Sequence, residues 1–383
     1  MSKTHIIGGG IAGLAAAVKL KSSGQKNITL YESSKYLGGR CRSYIDPHLK
    51  ITLDNGNHLI LGCNDEIFKF LKIIQADNRL EILTSPLKII NHLSQKKVPI
   101  PYYQLVKFLL RSLDDTVSTA SYFNLESEAW QDFFSPLIVS IQNTHPELSS
   151  AKQIQNCLRK IFLNLNLNAK TPYQPVHNLS HTFIEPALSY LGSKSVCPLH
   201  LLTGLQTKDN CINQLIFQQK QIDIKKNDRV IFALPIPALN TIFNLNLDLS
   251  KLHNPISNLH FKLDHDLKTP QILGLSHANA HWVFIKKDHI SVTMSHTHIK
   301  ASQKEKMIKS IWEEIRTYYP TLPHTVPEHK LIVEKYATLN QTPEIIQHIK
   351  NLPLPQFHNA RLIGDWQYLT YPNTIEAAMR SYL

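Results

Sequence analysis

Three short strings carry residue types that can hold a nucleotide cofactor. The first is Gly8-Gly9-Gly10-Ile11-Ala12-Gly13, a G-x-G-x-x-G pattern. Gly8 permits a tight turn, Gly10 lets the backbone approach a pyrophosphate, and Gly13 lets a helix pack closely on a strand. The amides of Ile11, Ala12 and Gly13 open that helix and face the anion. Glycine-rich turns without a nucleotide carry such strings too, so context matters. Glu32 stands 19 residues after Gly13, where a carboxylate accepts hydrogen bonds from the ribose hydroxyls of an adenosine.

The second string is Gly38-Gly39-Arg40, a few residues beyond Glu32. A backbone nest with an arginine reinforces pyrophosphate binding, because the guanidinium matches phosphate oxygens; an ordinary loop is the alternative. The third is Gly364-Asp365, followed by Pro372-Asn373-Thr374-Ile375-Glu376. A carboxylate at Asp365 can hold the ribityl chain of a flavin. A helix opening near Thr374 and Ile375 can aim its positive end at the pyrimidine side of the ring. A Gly-Asp pair alone is common. NAD enzymes have no need of a second, C-terminal site, so the first and third strings together point to non-covalent FAD.

These strings require particular elements around them. Thr4 to Ile7 reads as a buried strand, Ile11 to Ser22 as a helix stopped by Gly24, and Ile28 to Tyr31 as the next strand. Residues 51–58 read as a strand entering a turn. Residues 64–175 read as largely helical, with breaks at Pro86, Pro99, Pro101 and Pro136. Phe183 to Leu191 begins another helical run, and Arg229 to Leu234 is a buried strand closed by Pro235 and Pro237. Residues 255–300 alternate as strands of a second sheet. Lys304 to Tyr318 is a helix, Arg361 to Asp365 a last strand, and a final helix starts near Thr374. The expected fold is α/β: a Rossmann-type FAD-binding domain from residues 1–90, 176–250 and 351–383, with an inserted α+β substrate domain from 91–175 and 251–350.

The chain has 383 residues, 43% hydrophobic and 18% charged, a globular composition. Lys and Arg number 41 against 29 Asp and Glu, a formal charge of +12. No Lys/Arg blocks interleave with aromatics, which argues against nucleic acid. A solvated basic surface or contact with an anionic membrane remains. The five cysteines form no C-x-x-C pair, and the 20 histidines scatter without a ligand set, so no metal is expected and a reducing cytoplasm fits. Ile6 to Leu20 is apolar but interrupted by four glycines, unlike a signal peptide. No stretch reaches the roughly 18–20 apolar residues of a membrane span.

At these strings the chain resembles the amine oxidase/phytoene desaturase superfamily of FAD proteins. More closely, it resembles the hydroxysqualene dehydroxylases, the squalene-associated FAD-dependent desaturase family of bacterial hopanoid pathways. The stretches that carry the resemblance include Leu53-Asp-Asn-Gly-Asn-His-Leu-Ile-Leu-Gly62, Phe134-Ser-Pro-Leu137 through Asn143-Thr144, and Phe183-Ile-Glu-Pro-Ala187. Glu334-Lys-Tyr-Ala-Thr338 with Thr342-Pro343, and Gly364-Asp-Trp366 through Pro372 to Ser381, complete the set in order along the chain. The family usually carries Gln where Asn57 stands, Trp where Phe134 stands, and Gly at the positions of Thr370, Ala377 and Tyr382.

The resemblance implies reductive removal of a hydroxyl, hydroxysqualene becoming squalene and water at the expense of reduced flavin. It implies that Asn55 and Gly56 line the cofactor site and that His58 lies near the ring as the general acid; a structural histidine bonded to backbone is the alternative. The partners implied are hydroxysqualene or a similar long isoprenoid, an electron donor and an anionic membrane surface. The expected location is cytoplasmic, peripheral at the inner face of the cell membrane. Between Val98 and Leu113, the residues Leu105, Phe108, Leu109 and Leu113 fall near one helical face flanked by Lys107 and Arg111. That face suits a monotopic membrane contact, with an internal helix as the alternative. An isoprenoid desaturase or amine oxidase is the competing enzyme reading. A prenyl-lipid carrier like the Rab escort proteins is the competing non-enzyme reading; retention of both Glu32 and Asp365 argues against it.

Overall fold

The computed structural model describes residues 2–83, 87–264, 267, 271–297, 299 and 301–383. Pro86, expected as a helix break, lies outside them. Thr4–Ile7, buried throughout, forms the centre of a five-stranded parallel sheet. Its neighbours are Ile28–Tyr31 and Arg229–Phe232, with Thr4 opposite both Ile28 and Arg229. Val196–Cys197 and Ala360–Leu362 flank them on either side. Strands buried on both faces read as continuous apolar runs, which is why the sequence places them well. The helix Ile11–Ser22 is rich in small residues and packs against the C-terminal helix Ile375–Arg380. Ile11, Ala12 and Ile375 share one core.

A second, seven-stranded sheet runs in the order His329–Leu339, His253–Lys262, His289–Ser295, Trp282–Ile285, Gln271–Ser276, Lys88–Asn91, Lys96–Lys97. One face packs on the helix Lys304–Tyr318, where Leu259, Leu273, Val283 and Val292 meet Ile308, Ile311, Trp312 and Ile315. The opposite face changes chemistry across the strands. Ile272 stands opposite Phe284, Phe284 opposite Ser291, and Ser291 opposite His260. The adjacent row runs Gly274, Trp282, Thr293, Asn258. Directly paired residues share a face, so this face is apolar at one side and polar at the other.

The expectation of a largely helical stretch over 64–175 needs correction. The helices Asp65–Ile73, Tyr102–Leu110, Ser135–Gln142 and Ala151–Phe162 are interspersed with strands, among them Leu80–Ile82, Lys88–Asn91 and Pro172–Pro175. Leu80–Ile82 pairs with Pro172–Pro175, and Lys88–Asn91 with Gln271–Ser276. Such distant pairings leave no local periodicity. Residues 202–223, unassigned from sequence, form an antiparallel three-stranded sheet.

The membrane-facing stripe also needs correction. Leu105, Phe108, Leu109 and Leu113 are buried in the core of the helical unit, with Trp130, Phe134, Ile154 and Leu158. Their period-3.6 spacing marks a face that meets protein, not lipid. Glu376 ties the same region to the C-terminus. Its buried carboxylate accepts from the amides of Glu66 and Ile67 at 3.1 Å each, and from Lys160 at 2.9 Å and Arg380 at 2.8 Å.

Candidate functional site

The glycine string separates into protein duties and one duty with no protein explanation. Gly8 follows the first strand with φ +106°, and a Cβ there would lie 2.3 Å from the Ala233 carbonyl oxygen. A Cβ on Gly13 would lie 2.0 Å from the Gly8 oxygen. Both positions are glycine because the chain itself leaves no room. Gly10 is different. Its φ is −69°, open to any residue, and among the described residues no atom lies within 4 Å of a Cβ built there. Gly10 precedes a helix start without a side-chain cap, whose first-turn amides have no acceptor within the helix. An anion fits that space, and a side chain would fill it.

The second string closes over the first. The Gly38 amide donates to the Gly9 oxygen at 2.8 Å, and a Cβ on Gly39 would come within 3.3 Å of Gly10 Cα. Glu32, at the end of the neighbouring strand, accepts from the Gly9 and Ser34 amides at 2.8 Å each. The carboxylate is thereby fixed at the edge of the cradle.

The C-terminal string arrives at the same place. Gly364 packs under the Trp366 indole, whose Nε1 donates to the Leu234 oxygen at 2.9 Å. That contact presents Asp365, which accepts from Arg40 Nη2 at 2.8 Å. Asp365 is the main cause pushing the Arg40 guanidinium further up from its ordinary value, so it stays charged. Arg40 also donates to the Ala337 oxygen. The expected pyrophosphate residue and the expected ribityl residue are thus joined by an ion pair across 325 positions of sequence. Pro372 is buried; Thr374 caps its own helix by accepting from the Ala377 amide at 3.1 Å.

Residues 54–58 lie over the polar part of the seven-stranded sheet. Asp54 is buried and accepts from Ser43 Oγ at 2.6 Å, the Leu179 amide at 2.9 Å and Lys286 Nζ at 2.6 Å. Burial alone would raise its carboxyl; Lys286 and these donors outweigh burial and hold it below the usual carboxylate range. Asn55 Nδ2 reaches Glu334 at 3.4 Å, and Asn258 Nδ2 donates to the Asn55 oxygen at 3.3 Å, beside Gly56. Thr293 Oγ1 donates to Asn258 Oδ1, so it accepts from Asn57 Nδ2 at 2.9 Å. Asn57 Nδ2 also donates to Ser291 at 2.7 Å. This orientation leaves Asn57 Oδ1 a buried acceptor with no donor among the described residues.

His58 sits in the field of Asp54, Arg40 and Lys286. Burial lowers its pKa to about 4, Asp54 opposes that, and the two cations add to it. The imidazole is therefore neutral at neutral pH, and it does not wait there as an imidazolium acid. The sequence reading missed Lys286, Asn258, Ser291 and Thr293. Asp54 was visible in its string, but nothing local records a lysine 232 residues away that neutralises it.

Comparison with known proteins places this geometry in a family. Residues 6–74 match the NAD(P)-binding Rossmann-like domain family. Hydroxysqualene dehydroxylase of Zymomonas mobilis is 30% identical, the match covering 100% of this chain and 97% of that protein. The chain belongs to the hydroxysqualene dehydroxylase family. The corresponding protein of Sinorhizobium fredii is 27% identical over 98% of this chain and 95% of its own length. Zeta-carotene desaturase of Zea mays matches over 78 residues, 20% of this chain and 13% of its own, at 37% identity. Among solved structures, cyclohexylamine oxidase of Brevibacterium oxydans superposes with TM-score 0.73 at 12% identity, covering 100% of this chain and 97% of that one. The protoporphyrinogen oxidase-like protein of Exiguobacterium gives 0.68 at 14%, covering 100% and 97%. These establish the shared fold. The cofactor of this family member is FAD.

Proposed function

We propose that the protein removes the hydroxyl of hydroxysqualene reductively, giving squalene and water, with FAD as redox cofactor. The observation that carries this reading is the extent of the relationship: it runs the whole length of the dehydroxylases but only 20% of this chain in the zeta-carotene desaturase. Reduced FAD, when bound, would supply hydride to the carbon that loses oxygen.

The chain's own residues suit an alcohol with a long hydrocarbon tail. Ile272, Phe284, Trp282, Leu59 and Leu83 form an apolar surface that excludes water from a hydrocarbon. The surface ends at Ser291 and Thr293, where Asn57 Oδ1 is free to accept from a hydroxyl. A hydroxyl leaves poorly without a proton. His58, held neutral, would give its N–H proton to the departing oxygen while its other ring nitrogen takes one from the Lys286 ammonium, which Asp54 holds at 2.6 Å, so that water leaves and no imidazolate forms. Glu32, the Gly38-Gly39-Arg40 turn, Asn55, Gly56, Asp365 and the Pro372–Ile375 segment hold the cofactor. An electron donor must re-reduce it, and a substrate this apolar reaches the enzyme from an anionic membrane surface, on the cytoplasmic side.

The test is product analysis with chemically reduced enzyme under anaerobic conditions. Hydroxysqualene should yield squalene with one flavin oxidised per turnover, and deuterium delivered from the flavin should appear at the carbon that lost oxygen. A more unsaturated product, formed as the flavin becomes reduced, would move the assignment to a desaturase.

A further inference from the structure

The helix Tyr102–Leu110 is apolar on both sides. Leu105, Phe108 and Leu109 face the core, yet the outer side repeats the pattern with Tyr103, Val106 and Leu110, which are 76%, 49% and 72% exposed. Apart from Gln104 and Lys107, this helix is apolar on every side, as suits a protein interior or a lipid phase, and yet it lies at the surface. A second apolar prong stands beside it. The loop after the helix Ala151–Phe162 alternates Leu with Asn from Leu163 to Asn168. The side chains of Asn164 and Asn166, themselves exposed, accept from the amides of Asn166 and Asn168 at 2.9 Å each and so shape the loop. The leucines point out, Leu165 99% and Leu167 98% exposed.

The two prongs belong to one unit. Gln155 Nε2 donates to the oxygens of Phe108 and Arg111 at 2.8 Å, and Arg159 Nε to that of Leu109 at 2.7 Å. Leu163 follows Arg159 by one helical turn, its amide bonded to the Arg159 oxygen. Exposed cations accompany the prongs: Lys96 and Lys97 on the edge strand just before the helix, Lys107 on the helix itself, and Lys170 after the loop. Together with a chain charge of +12, they match an anionic lipid surface. Aromatic side chains at one edge and protruding leucines at another suit the headgroup boundary and the acyl region beneath it.

We propose that Tyr103, Val106 and Leu110, with Leu165 and Leu167, form a docking surface that seats the protein on an anionic bilayer. In assigning the bilayer a task, the proposal rests on delivery of an apolar substrate from the membrane. The surface is the side of the helix opposite to the stripe that sequence periodicity suggests.

The test sediments full-length holoprotein with vesicles of equimolar phosphatidylglycerol and phosphatidylcholine, and in parallel with phosphatidylcholine alone. The wild type should bind the mixed vesicles, less so at high salt. Tyr103→Ser/Leu110→Ser and Leu165→Ser/Leu167→Ser should each lower partitioning about tenfold or more without changing thermal unfolding, because these side chains touch little protein. Lys96→Glu/Lys97→Glu/Lys107→Glu should weaken binding to the anionic vesicles by about fivefold per lysine and leave neutral vesicles unaffected. Wild-type binding by all variants, or no wild-type binding, overturns the proposal. So does a wild-type dimer that the leucine substitutions dissociate, which would assign the surface to a second copy of the chain. Sedimentation is read without turnover. Failure to convert detergent-dispersed hydroxysqualene therefore counts against the proposed reaction, while the vesicle result still decides the surface.

Discussion

Replacing Gly10 by alanine separates the cofactor from the fold in one step. The backbone there, φ −69° and ψ 178°, is an extended conformation any residue adopts, and the new methyl meets no protein atom within 4 Å. Stability of the cofactor-free protein should be unchanged or rise by a few tenths to about 1 kcal/mol, from the reduced freedom of the unfolded chain. Binding should suffer instead. The methyl would occupy the space in front of the Ile11 and Ala12 amides and displace a pyrophosphate. Each charge-assisted hydrogen bond lost costs about 1.5–3 kcal/mol, so losing one or two weakens FAD by about 10-fold to about 10⁴-fold or slightly more. Gly13→Ala is the control, since its Cβ would stand 2.0 Å from the Gly8 oxygen. The helix must then shift, and the cofactor-free protein should lose about 1–3 kcal/mol. The assays are titration of stripped protein with FAD, followed by flavin fluorescence, and denaturant unfolding without FAD. Wild-type FAD affinity in Gly10→Ala would refute the reasoning. So would destabilisation of its cofactor-free form to the level of Gly13→Ala.

Asp365→Asn should weaken FAD by about 10- to 150-fold, the loss of one charged hydrogen bond, while unfolding of the stripped protein changes little, because its Arg40 partner is 40% exposed; unaltered affinity in the same titration would remove Asp365 from the site. His260 sets an acid limit on stability. It is fully buried with neither ring nitrogen bonded among the described residues, and burial, with His289 and Lys286 adding to it, lowers its pKa from 6.5 to about 3. The unfolded chain therefore takes up a proton below about pH 6.5 that the folded chain refuses, so stability is lost as pH falls. By about pH 5 this one group costs about 2 kcal/mol, and denaturant melts at neutral pH and at about pH 5 should show His260→Phe spared that part of the wild-type loss; an equal loss in both would contradict it.

What the sequence determined by itself was local. Buried parallel strands such as Thr4–Ile7 and Arg229–Phe232 carry short apolar runs, Ile6-Ile7 and Val230-Ile231-Phe232, and the helix Lys304–Tyr318 has one apolar stripe, so both are legible from a short window. The glycine string, Glu32 and Asp365 were legible because each serves a backbone geometry or a charge that neighbouring residues already imply. Tertiary structure decided the rest. Gly8, Gly10 and Gly13 are the same residue in sequence, and only the folded chain shows that a Cβ on Gly8 meets the Ala233 oxygen and one on Gly13 the Gly8 oxygen, while the space at Gly10 stays open. The charge of His58 depends on burial and on Asp54, Arg40 and Lys286, one of them more than 200 residues away, so its neutrality has no local signature. The outward face of Tyr102–Leu110 was undecidable from periodicity, because both faces are apolar. Packing of Leu105, Phe108 and Leu109 against the helical core settled which side turns out, since a buried face is chosen by the partner it meets and not by the helix that carries it.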